Sequence, residues 1–243
     1  MTKSPDIKKR IEHNRDAISK MLSGSTSLKR LNNFNWLRHE LSYNEPRTLF
    51  YIATQKQMPY LDYNHMKNIG DVYDYIIEHH NEPITVDAIR DMHRMLCNGT
   101  NLAGGAYRTS DKTLEITVNG MRFHAPDAYD IATRMNQIVY QINNPKQAVL
   151  TRAINAHYEL IMLQPFDDFN KRTARIVMNW ILIKGGYRPI VFNNRGDKQN
   201  YKSAIAARAN GDGREYARYM YDCMLRTQEK IIKVLGRSKI FQA

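Results

Sequence analysis

The stretch Leu163-Gln164-Pro165-Phe166-Asp167-Asp168-Phe169-Asn170-Lys171-Arg172-Thr173-Ala174-Arg175 joins two strongly apolar runs. Pro165 discourages helix at Gln164, so the helical pattern of 146–163 breaks there. A second helical pattern begins at about 170 and ends at Gly185-Gly186. Asp167 and Asp168 therefore stand beside a helix start that also carries Asn170, Lys171 and Arg172. Backbone N–H groups and the helix dipole at such a start favour an anion. Lys and Arg there strengthen phosphate binding, and Arg can grip two oxygens at once. Arg175 follows Arg172 at three-residue spacing, on the same helix face. A carboxylate beside a phosphate cradle suits a Mg²⁺ that bridges nucleotide oxygens. The competing reading is structural: the two Asp residues pair with Arg172 and Arg175 and cap the helix.

Working outward, the chain is mostly helical in pattern. Residues 5–22 read as an exposed helix, followed by a Ser23-Gly24-Ser25-Thr26-Ser27 linker. Leu31, Phe34, Leu37 and Leu41 give helical spacing within 28–57. Helices are predicted over 64–80 and over 85–98, the latter with Thr85 as N-cap and Ile89, Met92 and Leu96 on one face. The period then changes. Leu114, Ile116 and Val118 alternate with polar residues, and Met121 and Phe123 resume the alternation after Asn119-Gly120. This predicts a hairpin closed by a tight primed turn. Helical pattern returns over 127–143, and again over 198–210 and 213–236. The fold class is mainly α: a helical bundle with one β-hairpin.

The chain has 243 residues, 42% apolar and 25% charged, which fits one large domain or one domain with an appendage and excludes bulk disorder. No apolar run approaches the roughly 20 residues of a membrane span, and the first residues lack the apolar core of a signal peptide. Cys97 and Cys223 do not form a disulfide framework, so a reducing, cytoplasmic setting is expected. The net charge of +12 invites a nucleic-acid reading. However, most of the excess lies in 1–44 and 214–243, and no nucleic-acid recognition motif accompanies it. Nucleic acid is therefore an unlikely partner. His93, His124 and His157 read as packing or surface residues, and Tyr216, Tyr219 and Tyr221 as packing on the last helix.

Gln164 to Arg175 resembles the signature of the Fic/Doc (Fido) family, His-x-Phe-x-Asp/Glu-Gly/Ala-Asn-Gly/Lys-Arg-x-x-Arg. Gly105-Ala106-Tyr107-Arg108 and the hairpin after it resemble the family's flap. Asn200-Tyr201 with Ala204 resembles the segment that closes over the adenine. The resemblance implies the Fic fold and transfer of AMP from ATP, with Mg²⁺, to a Ser, Thr or Tyr hydroxyl of a protein target. It implies that Asp168 holds Mg²⁺ and that Asn170 and the backbone around 169–172 form the anion hole. Arg172 and Arg175 hold the outer phosphates, with Phe169, Lys171 and Tyr201 also in the nucleotide site. Thr113, Leu114, Ile116 and Val118 of the flap align the target segment. Phe166 anchors the loop in the core. It also implies an N-terminal helical extension over 1–57, a Fido domain over 58–225 and a helical tail over 226–243. Homo-oligomers and export to a host both remain compatible with it.

Three departures from the signature matter. Gln164 stands where the family has its general-base His. An amide has no usable basicity near neutral pH, and loss of a positioned base costs about 10²–10⁴-fold in rate. The resemblance thus implies a strongly impaired enzyme or a non-catalytic binding protein. Phe169 replaces the usual Gly or Ala. Lys171 replaces the Gly of most AMP-transferring members and matches Doc, which transfers phosphate. Finally, Glu45, in Leu41-Ser42-Tyr43-Asn44-Glu45-Pro46-Arg47, is the nearest candidate for the family's inhibitory Glu. Leu41 and Pro46 depart from that motif.

Overall fold

The computed structural model describes residues 4–23, 60–115, 121–192 and 197–240. Among these, eight α-helices and one two-stranded antiparallel sheet form. Helices α1 (Ser4–Ser23), α2 (Tyr60–Glu78) and α3 (Val86–Leu96) precede strands β1 (Thr113–Glu115) and β2 (Arg122–His124). A 3₁₀ turn (Ala128–Asp130) leads into α4 (Ile131–Ile142), followed by α5 (Val149–Leu163) and α6 (Asn170–Lys184). The chain closes with α7 (Asp197–Ala209) and α8 (Gly213–Ile240). The mainly helical class with a single hairpin is the one the periodicity predicts.

The predicted N-cap is present: Thr85 Oγ1 accepts from Ala88 N at 3.0 Å at the start of α3. Helices α5 and α6 form the centre of the molecule. The run Ile176–Ile183 of α6 is buried along its whole length, which explains an apolar density that is not amphipathic. Its one polar member, Asn179, is satisfied inside: it donates to Tyr73 Oη and the Ile190 carbonyl and accepts from Ile190 N. The end of α6 lies against the start of α5. A Cβ on Gly185 would stand 2.4 Å from Val149 Cγ1, so only glycine permits this approach. No helix among the described residues is long and apolar enough to cross a membrane.

Helix α1 is not the solvated helix that its charge suggests. Ile7, Ile11, Ile18 and Leu22 are buried. Lys8 lies over the Tyr221 ring, Gln228 Nε2 donates to the Ile11 carbonyl, and Ile18 and Leu22 pack with Ile231 and Leu235. The partners advance together along both helices, so α1 runs parallel to α8. Its charges occupy the opposite face, and a four-residue apolar stripe among so many Lys and Arg was too sparse to stand out. Helix α8 runs without interruption from Gly213 to Ile240, across the boundary drawn between 225 and 226. Ile18, Leu22, Ile231 and Leu235 form a cluster separate from the main core. Ile231→Asp is therefore expected to expose the second half of α1 to limited proteolysis while the main domain keeps its melting temperature within a few degrees.

In the hairpin, Thr113 pairs with His124, Leu114 with Phe123 and Glu115 with Arg122. An uninterrupted ladder closed by a two-residue Asn119-Gly120 loop would instead pair Glu115 with His124. The observed register is offset by two residues from that expectation. The turn itself, with Ile116 and Val118, lies outside the described residues, as does Glu45.

Candidate active site

The loop between α5 and α6 is bounded by two left-handed residues, Gln164 (φ 47°) and Phe169 (φ 55°). Asn170, the first residue after them, acts as a clip: its Oδ1 accepts from Phe166 N at 2.9 Å and its Nδ2 donates to the Phe166 carbonyl at 2.8 Å. Phe166 is fully buried and stacks flat on His93, with ring centroids 3.8 Å apart. It anchors the loop as the motif implied.

Every backbone carbonyl from Leu163 to Asp168 receives a donor. The Arg108 guanidinium donates to Gln164 (2.7 Å) and Leu163 (3.4 Å), and the Arg108 N–H donates to Pro165 (3.0 Å). Asn170 holds Phe166, Lys112 Nζ holds Asp167, and His93 Nε2 holds Asp168 at 3.1 Å. The His93 tautomer follows from its other nitrogen, because Nδ1 accepts from Gly105 N at 2.9 Å. Burial, the dominant effect, lowers the His93 pKa and keeps the ring neutral. Gly105 is left-handed (φ 79°), and a Cβ there would meet the Arg90 carbonyl at 2.8 Å. Five of the six carbonyls are thus held from the segment 93–112, and the loop is fixed on that side.

The other side carries the charged groups. Asp167 and Asp168 are exposed, and Asp168 Oδ1 accepts from Phe169 N at 2.6 Å. The first intrahelical bond of α6 runs from Thr173 N to the Phe169 carbonyl. The N–H groups of Asn170, Lys171 and Arg172 precede it, which is the arrangement that binds anions. Lys171 is exposed; Arg172 lies 4.6 Å over the Phe169 ring, and Arg175 lies 5.9 Å from the centre of Phe192. No group of three or more acidic, His or Cys ligands exists among the described residues. One exposed carboxylate at a phosphate-type site is nevertheless the donor set that Mg²⁺ uses when the nucleotide supplies the other oxygens. Asp168 fits that role.

Several expected roles change in kind. The Asn170 carboxamide is buried and turned to Phe166, so toward an anion this residue offers its backbone N–H. Gln164 turns its amide back along α5, donating from Nε2 to the Ile161 carbonyl at 2.6 Å. Phe169 occupies a left-handed position, which accounts for the Gly of the signature. Its side chain is buried between His65 and His93, so it does not cover the helix start. Phe169→Gly would relieve about 1–2 kcal/mol of backbone cost but forfeit roughly 3–5 kcal/mol of buried ring. The expected net loss is about 2 kcal/mol, a melting temperature lower by about 4–8 °C.

Beyond Arg175 lies an aromatic group formed by Phe192, Tyr201 and Tyr219. Tyr201 turns its hydroxyl inward to His157 Nε2 at 3.0 Å, so it presents its ring rather than its hydroxyl. His157 is fully buried, and Nδ1 lies 2.6 Å from Tyr216 Oη. Desolvation first, then Arg175 and Arg208, depress its pKa to about 3. Tyr216 and Tyr221 are buried, as expected of packing residues, and Cys97 and Cys223 are buried free thiols.

The motif led sequence reasoning to the 164–175 residues. It did not single out Arg108, Lys112 or His93 for a role in holding them. The one available signal was Arg108 within Gly105-Ala106-Tyr107-Arg108: an Arg at the end of a small-residue turn, now found fully buried.

Residues 83–182 match the model of the Fic/DOC family. The protein adenylyltransferase Fic of Aedes aegypti is 26% identical over 238 residues, covering 90% of this chain and 46% of that protein. The protein of the same name from Nematostella vectensis is 26% identical over 237 residues, covering 90% and 54%. The chain thus spans about half the length of the curated relatives it matches. A Fic domain containing signaling protein from Bacteroides thetaiotaomicron superposes with a TM-score of 0.77 at 21% identity, over 93% of this chain and 98% of that one. Fic-1 from C. elegans superposes with a TM-score of 0.74 at 21% identity, over 97% and 74%. With its signature on a loop fixed from behind and open at a helix start, the chain carries a segment, 83–182, that matches the Fic/DOC family, and it has the fold of these Fic-domain structures.

Proposed function

We propose that this protein binds ATP with Mg²⁺ at the start of α6 and transfers AMP to a hydroxyl of a protein target, at a rate held low by Gln164. The carrying observation is the loop itself. Five of its six carbonyls are held from the segment 93–112 and the sixth by Asn170, while Asp168, Lys171, Arg172 and the first N–H groups of α6 stand at the helix start. Such preorganised donors stabilise developing charge with little rearrangement during reaction. The adenylyltransferase relatives support the choice of AMP as the transferred group.

Asp168 would hold Mg²⁺, which neutralises charge on the nucleotide phosphates. The N–H groups of Asn170, Lys171 and Arg172 would grip the phosphate oxygens, with the Arg172 and Arg175 side chains on the outer ones. Tyr201 and Phe192 would border the base. Strand β1 would align an extended target segment by main-chain pairing. In the transfer, the acceptor oxygen bonds to the α-phosphorus, the α–β bridging bond breaks and pyrophosphate leaves. The hydroxyl proton must then go to a base. Gln164 is not one, and its amide is engaged with Ile161, so the proton passes to water.

The test is labelling of the protein or a supplied target from ATP carrying the label on the α-phosphate, with Gln164→His alongside. Label on protein from the α-phosphate supports the reading. Label from the γ-phosphate alone overturns it in favour of phosphate transfer, the reaction that Lys171 would suit.

A further inference from the structure

His157 lies two helical turns before Gln164 and has no part in the chemistry above. Its bonds nevertheless form a directed chain. Tyr216 has one hydroxyl proton and donates it to the Ile154 carbonyl at 3.0 Å. Its oxygen must therefore accept from His157, which places the ring proton on Nδ1. Nε2 is then bare and accepts from Tyr201. One neutral imidazole thus ties α5, α7 and α8 together. It also forms part of the packing around Tyr201: the ring stacks at 18° to Phe192, and Tyr201 meets Phe192 edge-on at 5.6 Å. Phe192 in turn lies beneath Arg175, one turn from the helix start.

We propose that His157 is a positioning residue that fixes Tyr201 and Phe192 as the wall against which a nucleobase stacks, separate from the groups that hold phosphate. The inference rests on the nucleotide reading. Aromatic faces beside an anion site are where a base gains stacking energy. A wall already held in place binds without the cost of ordering it. The phosphates rest on the first N–H groups of α6 and the held loop, whereas the hydrogen bonds of His157 run to Tyr216 and Tyr201, so the two halves of the ligand depend on different hydrogen bonds.

The full chain with ATP and with inorganic tripolyphosphate, each with Mg²⁺, separates them by titration calorimetry. His157→Phe keeps an aromatic ring and loses both hydrogen bonds; Tyr201→Phe loses only the hydroxyl. Each is expected to weaken ATP binding by about 5–10-fold, the value of one buried hydrogen bond, and to leave tripolyphosphate binding within about 2-fold. The double variant is expected to be no weaker than His157→Phe alone, because both remove the same bond. A variant that merely loosened the fold would weaken both ligands alike. Equal weakening of both ligands, or of neither, overturns the inference. Wild-type protein that takes up neither ligand overturns the nucleotide reading itself.

Discussion

Gln164→His is expected to raise transfer from α-labelled ATP by about 10²–10⁴-fold, the contribution of a positioned general base. A His at this position would sit at the C-terminal end of α5 on a backbone already fixed: its carbonyl is held by Arg108 and its N–H bonds to the Leu160 carbonyl. An unperturbed imidazole titrates near pH 6.5, so it is mostly neutral and able to accept a proton at pH 7.5. Gln164→Ala serves as the comparison. It lacks the amide but gains no base, so it should stay near the wild-type rate. Labelling by Gln164→His that does not exceed Gln164→Ala, with ATP still bound, would show that the missing base is not what limits this protein.

Arg108→Ala is expected to cost about 3–5 kcal/mol, and to lower the melting temperature by about 10 °C. Arg108 is 2% exposed, and its guanidinium serves carbonyls of Leu163, Gln164, Ser110 and Pro126 at once. Its removal leaves several buried acceptors without a donor, each costing about 1–3 kcal/mol. Arg108→Lys keeps the charge but cannot span the same carbonyls, so it should recover only part of the loss. The signature loop would loosen as well, and misplacement of about 1 Å in such a site is worth about 10²-fold in rate. Thermal melts of the three proteins, together with ATP titrations, check both claims. A loss under about 1 kcal/mol would mean that Phe166, Asn170, His93 and Lys112 hold the loop without Arg108.

The helices were legible because their cues are local. Thr85, the Pro165 break and the Gly185-Gly186 stop each act within a few residues. The hairpin was legible as alternation, but its register was not. Alternation sets which residues share a face, and a shift of two residues keeps the same faces, so the pattern does not choose between these registers. Helix α1 was misjudged as exposed because its apolar stripe is diluted by charge and its partner lies some 200 positions away in the chain.

At the candidate site the division is sharper. The chain 163–175 alone determined that two carboxylates, three cations and a helix start would lie together, since their spacing permits little else. Only the tertiary structure decided which face of that loop is held and which is open. Arg108 and His93 reach it from 56 and 75 positions away, and His157 meets Tyr201 across 44. A donor that satisfies a distant carbonyl leaves no periodic trace in sequence. Its place is set by the packing of α3, α5 and α7 around one core, where a buried polar group must find a partner.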